Sequence, residues 1–146
     1  MRRMQASWEL LVIVALMFIL LMALMSVYFD KQQTALDLEE TMQLRLMAFS
    51  LARNINAVVA AGNGSNATVT IYNIAHYYKY SDGSICFDFN ADKRLVEVEL
   101  EIGGVLTKAV AATIVTNDID NTGFCLVSPS SSRTFRNVGG HITVGT

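Results

Sequence analysis

The chain has 146 residues with a single proline, of which 52% are hydrophobic and only 16% are charged. This length suits one compact domain. The formal net charge is −2 at pH 7, and no long block of basic residues is present, which argues against nucleic acid as a partner. Positions 10–29 contain no charged residue, and this run matches the ~20 residues of one helical membrane crossing.

The charges beside the apolar run predict its orientation. Arg2 and Arg3 precede the run, so the positive-inside rule places the N-terminus in the cytoplasm and the chain beyond Asp30 outside. Positions 26–29 (SVYF) lack the small residues of a signal-peptidase site. The apolar helix is therefore expected to be retained after export of the chain.

Two features of the outer part agree with an extracytoplasmic location. Asn63 and Asn66 each begin an Asn-x-Ser/Thr glycosylation sequon. Both cysteines, Cys86 and Cys125, also lie beyond the apolar run and on separate predicted strands. A disulfide between them is predicted because such a bond persists outside the cytoplasm. The alternative is a pair of buried free thiols.

The segment before the apolar run has a pattern of its own. A short basic leader at positions 1–4 is followed by Gln5, Ser7 and Glu9 at alternate positions. This segment resembles the class III signal segment of archaeal type IV pilins. The resemblance implies that a prepilin peptidase cleaves between Met4 and Gln5 on the cytoplasmic side. Met4 departs from the family pattern, in which the leader ends in glycine or another small residue. An uncleaved signal anchor is the alternative.

The helix is predicted to continue from the apolar run to position 61. Positions 30–61 contain no glycine or proline and are rich in good helix formers. Helical spacing gives two apolar stripes on nearly opposite sides. The first stripe contains Leu38, Met42, Leu46 and Phe49, and the second contains Leu44, Met47, Leu51, Ile55 and Val58. We expect one stripe to pack on the chain's own sheet and the other on neighbouring subunits; the alternative is a small sheet that hides most of both.

Alternating residues after Gly62 predict strands in place of the helix. The clearest strand covers positions 95–102, with Glu97, Glu99 and Glu101 expected to face water. Gly103-Gly104 predicts a tight hairpin. The remaining predicted strands are 68–74, 85–89, 105–115, 124–127, 134–138 and 141–144, with a polar loop at 116–123 and an irregular Ser-rich link around Pro129.

These elements predict an α+β fold, with a long N-terminal helix followed by an antiparallel meander. The division is a leader at 1–4, a helix at 5–61 with its membrane part at 10–29, and an extracytoplasmic β-sheet domain at 62–146. This order is again that of a type IV pilin. Positions 60–69 and 135–144 also resemble recurrent segments of small archaeal pilin-like domains.

Residues capable of chemistry are few and scattered. His76 and His141 are isolated in the sequence, and no His or Cys pair has metal-ligand spacing. Asp118 begins a segment like a calcium loop, but Pro129 stands where a bidentate Glu is needed, so a solvated turn is expected. The sequence therefore predicts neither an enzyme nor a bound cofactor or metal.

A group of aromatic residues is the other candidate contact site. It contains Tyr72, Tyr77, Tyr78 and Tyr80, with His76 among them. Such a cluster can serve in adhesion to a surface or a partner. Aromatic residues are also ordinary in strands, which is the simpler interpretation.

The resemblance to archaeal pilins implies a function in assembly. The precursor would lie in the membrane with a cytoplasmic N-terminus, and the mature subunit would form an extracellular surface filament. The implied partners are other pilin subunits, a prepilin peptidase, and a secretion ATPase with its membrane platform protein. Glu9 would pair with the free amine that cleavage creates on Gln5 of the adjacent subunit. The alternative is an uncleaved, single-span membrane protein whose β-domain binds a surface or ligand.

Overall fold

The computed structural model describes residues 2–72, 83–120, 123–126, 128 and 130–145, with side chains from Trp8 onward. Its layout is α+β, with one long apolar helix followed by antiparallel sheets, as the sequence predicts. The chain divides into two units, Met1–Glu39 and Glu40–Thr146. The helix α1, Arg2–Ala61, contributes to both units.

The first unit is the apolar part of α1. Every described side chain from position 8 to position 39 is exposed. Within the described residues, α1 is the one helix long and apolar enough to cross a membrane. Large exposed apolar surfaces of this kind are rare on monomeric soluble proteins. This unit therefore has the composition and length of a membrane anchor.

In the second unit α1 packs against two sheets. Its buried side is made by Leu44, Ala48, Leu51, Ile55 and Val58, each at most 2% exposed. Full burial of a Leu or Ile side chain stabilises a fold by ~1.5–3 kcal/mol. This side of the helix is therefore the main attachment of α1 to the sheets.

The helix ends where the sequence predicts, immediately before Gly62. Gly62 has a φ of 84°, which a glycine adopts without steric cost. The Ser65 hydroxyl oxygen lies 2.7 Å from the Val58 carbonyl and 2.6 Å from the Gly62 carbonyl. It can therefore donate to a carbonyl that the last helical turn leaves free.

The β-strands form two antiparallel sheets. Sheet A has the order β1-β6-β7, and sheet B has the order β4-β3-β2-β5. The strands are β1 (Asn66–Tyr72), β2 (Gly83–Asn90), β3 (Leu95–Ile102), β4 (Val105–Thr113), β5 (Phe124–Leu126), β6 (Ser130–Val138) and β7 (His141–Gly145).

The predicted simple meander is wrong, because β1 pairs with β6 and not with the strand that follows it. The turn after the helix explains this pairing. Gly64 N donates to Asn137 O, and Asn137 N donates to Ser65 O, both at 2.9 Å. The end of β6 is thereby fixed beside the start of β1.

Several strand boundaries also differ from the prediction, and β1 and β2 each begin two residues earlier than predicted, at Asn66 and Gly83. The serine-rich stretch predicted as an irregular link belongs largely to β6, which begins at Ser130. Pairing with β1 explains the difference, since Ser132 lies opposite Thr70 with their hydroxyl oxygens 3.2 Å apart. The strand β4 ends at Thr113, two residues before the predicted end at position 115.

The inner faces of both sheets meet the buried side of α1 in one core. Phe89 of sheet B and Phe135 of sheet A contact edge to face, with ring centroids 6.1 Å apart. The predicted hairpin between β3 and β4 is confirmed, with positive φ at Gly103 and Gly104. The core side chains that the sheets contribute include Ile85, Phe87, Phe89, Val96, Val98, Leu100, Ala112, Leu126, Phe135 and Ile142.

Candidate functional site

The residues at the predicted cleavage site lie at the start of α1. Met4, Gln5 and Ser7 have helical backbone, and their side chains lie outside the described part of the structure. Glu9 is exposed, beside Trp8 and one turn before Val12 and Ile13. The carboxylate of Glu9 is therefore accessible to a group from another molecule.

The two apolar stripes of α1 have different environments. In the first stripe Leu38, Met42, Leu46 and Phe49 are 58–63% exposed; we call it the outer stripe. In the second, four residues are at most 2% exposed and Met47 is partly buried against the core. The alternative in which the sheets hide most of both stripes is thus wrong, and one apolar face of the helix is left uncovered.

Two arginines accompany the outer stripe. Arg45 and Arg53 are exposed and stand four residues before and after Phe49. Arg45 and Phe49 also line a groove whose opposite wall is formed by residues 109–111 of β4. The uncovered helix face therefore combines apolar and cationic groups, and it extends to the edge of sheet B.

The face of sheet B that points away from the core is acidic. Glu97, Glu99 and Glu101 alternate along β3 with buried residues and are half-buried. Asp88 of β2 lies opposite Glu97. No described strand residue on this face is basic, because Lys108 of β4 lies opposite inward-facing Leu100. We call the three glutamates the acidic row.

A disulfide joins Cys86 and Cys125 on the same face. The two residues lie directly opposite each other on β2 and β5, with Cα atoms 4.0 Å apart. Ligand atoms of Glu101 and both cysteines lie within 4.8 Å of one another. The two sulfurs are bonded to each other, so neither is available as a thiolate ligand for a metal ion in this state.

His141 of β7 is bracketed by two carboxylates. Its Nδ1 lies 2.6 Å from Asp118 Oδ1, and its Nε2 lies 2.9 Å from Asp120 Oδ1. The hydrogen bond to Asp118, followed by the one to Asp120, raises the pKa of His141 above its ordinary 6.5. Arg136, opposite Thr143 on β6, is the charged residue on the adjoining strand that shares the outer face with His141.

The solvated turn predicted at 118–123 is therefore only partly correct. Ile119 is buried and forms a parallel bridge with Ile142. Asp120 N donates to Ile142 O at 2.8 Å, and Ile142 N donates to Asp118 O at 2.9 Å. Because Ile119 points into the core, the flanking side chains of Asp118 and Asp120 both lie on the side of His141. His141 is isolated in the sequence because these partners stand 23 and 21 positions away from it.

A second ion pair attaches β4 to the helix. Lys108 Nζ lies 2.8 Å from Glu40 Oε2, and the two side chains are only 16% and 10% exposed. The low exposure limits screening by solvent. This contact holds the β4 edge against the start of the packed part of α1.

The two sequons differ in their contacts. The Asn63 side-chain oxygen accepts a hydrogen bond from Gly139 N at 2.7 Å. Asn66 is exposed at the start of β1. Of the predicted aromatic cluster, Tyr72 is exposed, whereas Tyr77, Tyr78, Tyr80 and His76 lie outside the described residues. Neither the contacts of the sequons nor the exposure of Tyr72 identifies a ligand.

Comparison with known proteins adds no assignment. No protein-family model, curated protein or solved structure matches the chain. The functional conclusion therefore depends on the sequence pattern and on the surfaces described above.

Proposed function

We propose that this chain is a membrane-inserted precursor that is processed into a subunit of an archaeal type IV pilus-like surface filament. The observation that carries the proposal is the exposure of α1 in two successive parts. All described side chains at positions 8–39 are exposed, and the outer stripe continues uncovered beside the sheets. Lipid can surround the first part. The outer stripe continues beside the sheets, where a membrane crossing of the first part does not cover it.

Assembly supplies one environment for both parts. When the apolar helix leaves the bilayer, equivalent helices of other subunits replace lipid as its surroundings, because they too present apolar side chains and satisfied backbones. The outer stripe then packs on neighbours while the opposite side of α1 stays on its own sheets. A structural filament of this kind requires no catalytic site and no cofactor.

Glu9 gives the assembly its register. A carboxylate in an apolar environment is costly unless it is paired. Cleavage after Met4 creates a free amine on Gln5, and this amine of the adjacent subunit is the proposed partner. The processing enzyme is a prepilin peptidase, and a secretion ATPase with its membrane platform drives the extraction of the helix.

The state of the native N-terminus tests this function. The intact mass of protein isolated from its own cells is measured, and the same preparation is examined by electron microscopy. A chain that begins at Gln5, found in filaments, is the expected result. A chain that begins at Met1 and stays in the membrane would instead support the alternative, an uncleaved anchor that carries a surface- or ligand-binding β-domain.

A further inference from the structure

A partner surface that covers the exposed face of α1 must match both apolar and cationic side chains. Phe49 lies between Arg45 and Arg53 at four-residue spacing, so the three side chains follow one line along the helix. We call it the Arg-Phe-Arg line. The structure gives neither arginine an ion pair with a described residue. Covering this line with an apolar surface alone would bury unpaired charges, which is strongly unfavourable.

The acidic row has the complementary properties. Successive glutamates on one side of a strand repel each other, and a cationic partner relieves that repulsion. The structure gives none of the three an ion pair with a described residue. Ala111 lies opposite Glu97 and Ala109 lies opposite Glu99. These small, exposed side chains leave room for a large aromatic ring beside the carboxylates.

The dimensions of the two surfaces also agree. Arg45 and Arg53 are eight residues apart on a helix, a distance of about 12 Å along its axis. Glu97 and Glu101 are four residues apart on a strand, a distance of about 13 Å. Two arginines can therefore reach the two ends of the acidic row at once, with Phe49 above the alanines.

We propose that the Arg-Phe-Arg line of one subunit packs on the acidic row of a second copy of this chain. The inference rests on the proposed filament and identifies which surfaces of the folded units meet. Because the two surfaces are different, the contact is heterologous: the first copy keeps a free acidic row, and the second keeps a free Arg-Phe-Arg line. Contacts of this type continue into open helical filaments when the rotation does not close.

Zero-length cross-linking tests whether the two surfaces touch. The full chain with Arg45→Lys and Arg53→Lys is prepared in light and heavy nitrogen, mixed before assembly, and treated with a carbodiimide, which joins amines to carboxylates in direct contact. We expect peptides that join position 45 or 53 of one isotope to the acidic row of the other. Links confined to one isotope, or no links from these positions, would overturn the inference. Exposed Lys93 serves as the internal control and is expected to give no link to the row.

Charge reversal supplies an independent measurement. Arg45→Glu with Arg53→Glu, and separately Glu97→Lys with Glu101→Lys, are each expected to abolish filaments. Because one variant then has two acidic surfaces and the other two basic surfaces, mixing the two is expected to restore copolymers. Filament yields equal to the parent in either variant alone would refute the contact. Lys93→Glu is the matched control and is expected to assemble normally.

The proposed function and this contact fail in different ways. If the parent chain keeps Met1 and forms no filament, the proposed function is wrong, and cross-linking of the mixed isotopes in membranes still decides whether the two surfaces meet. If the parent forms filaments but the links and the charge-reversal effects are absent, the filament stands and the contact is refuted.

Discussion

His141 holds Asp118 at 2.6 Å through Nδ1 while its Nε2 lies 2.9 Å from Asp120. A neutral imidazole donates from one nitrogen only, so the charged form alone donates to both carboxylates. The protonated ring therefore joins Asp118 and Asp120 to β7. Asp120 also accepts a hydrogen bond from Val144 N at 3.3 Å, which adds to the same attachment.

The contacts of His141 with Asp118 and Asp120 predict that the stability of the fold depends on pH. The folded-state pKa of His141 is raised above 6.5, first by the bond to Asp118. A raised pKa means that the folded state binds the proton more tightly than the unfolded state. The stabilisation is therefore complete below pH 6.5 and is lost as the pH rises through the raised pKa. Thermal unfolding of the detergent-solubilised protein across this range measures the loss.

A variant separates this effect from other titrations. His141→Gln cannot acquire the charge, so its unfolding midpoint is expected to lose this component of the pH dependence. His76→Gln leaves His141 as the only histidine and allows its titration to be followed by NMR. An NMR pKa of His141 at or below 6.5 would show that Asp118 and Asp120 do not stabilise its protonated form.

The sequence predicts the parts of this fold that depend on local order. Helical spacing places Leu44 and Leu51 in one stripe and Leu46 and Phe49 in the other, and the structure shows that the first stripe is covered and the second exposed. The pairing of β1 with β6 was not predictable in the same way, because it joins residues 58 to 70 positions apart, from Tyr72 with Ser130 to Asn66 with Arg136. The same holds for His141, whose partners come from a different segment. Contacts between distant segments depend on packing, which no local pattern encodes.

The disulfide predicts a large contribution to stability. It closes a loop with a sequence separation of 39 residues, for which restriction of the unfolded chain amounts to roughly 3 to 4 kcal/mol. Cys86→Ser with Cys125→Ser is expected to lower the free energy of unfolding by about this amount. Denaturant titrations of the parent and the variant measure the difference. A parent treated with a reductant should approach the variant, and equal midpoints for all samples would contradict the prediction.

The contact between Glu40 and Lys108 predicts energetic coupling between α1 and β4. Lys108→Met removes the partner 2.8 Å from a carboxylate that is only 10% exposed. Loss of a charged hydrogen bond of this kind is expected to cost roughly 1 to 3 kcal/mol. Denaturant unfolding of Lys108→Met, Glu40→Gln and the double variant forms the cycle that measures the coupling. Strictly additive effects of the two changes would show that the pair contributes nothing.

The residue before the proposed cleavage site predicts the rate of processing. Met4 stands where the leaders that this segment resembles end in a small residue. Met4→Gly is therefore expected to be processed faster by the prepilin peptidase, without any change in the site used. Intact mass measured at intervals after expression follows the conversion. Arg3→Lys, which preserves the charge before the site, is the matched control, and processing of Met4→Gly at another position would contradict the assignment.

Glu9 is predicted to act in assembly and not in folding. It is exposed on α1, outside the unit that contains the sheets and the disulfide. Glu9→Ala is therefore expected to leave membrane insertion and the disulfide intact while reducing filament formation, because the amine of Gln5 on the adjacent subunit loses its carboxylate. Filament yield by electron microscopy and disulfide content by mass measure the two properties separately. Asp30→Ala, at the opposite end of the apolar run, is the control for loss of an acidic residue near the membrane. A residue that merely sits among lipid headgroups beside Trp8 would be replaceable, so assembly of Glu9→Ala at the parent level would remove Glu9 from the mechanism.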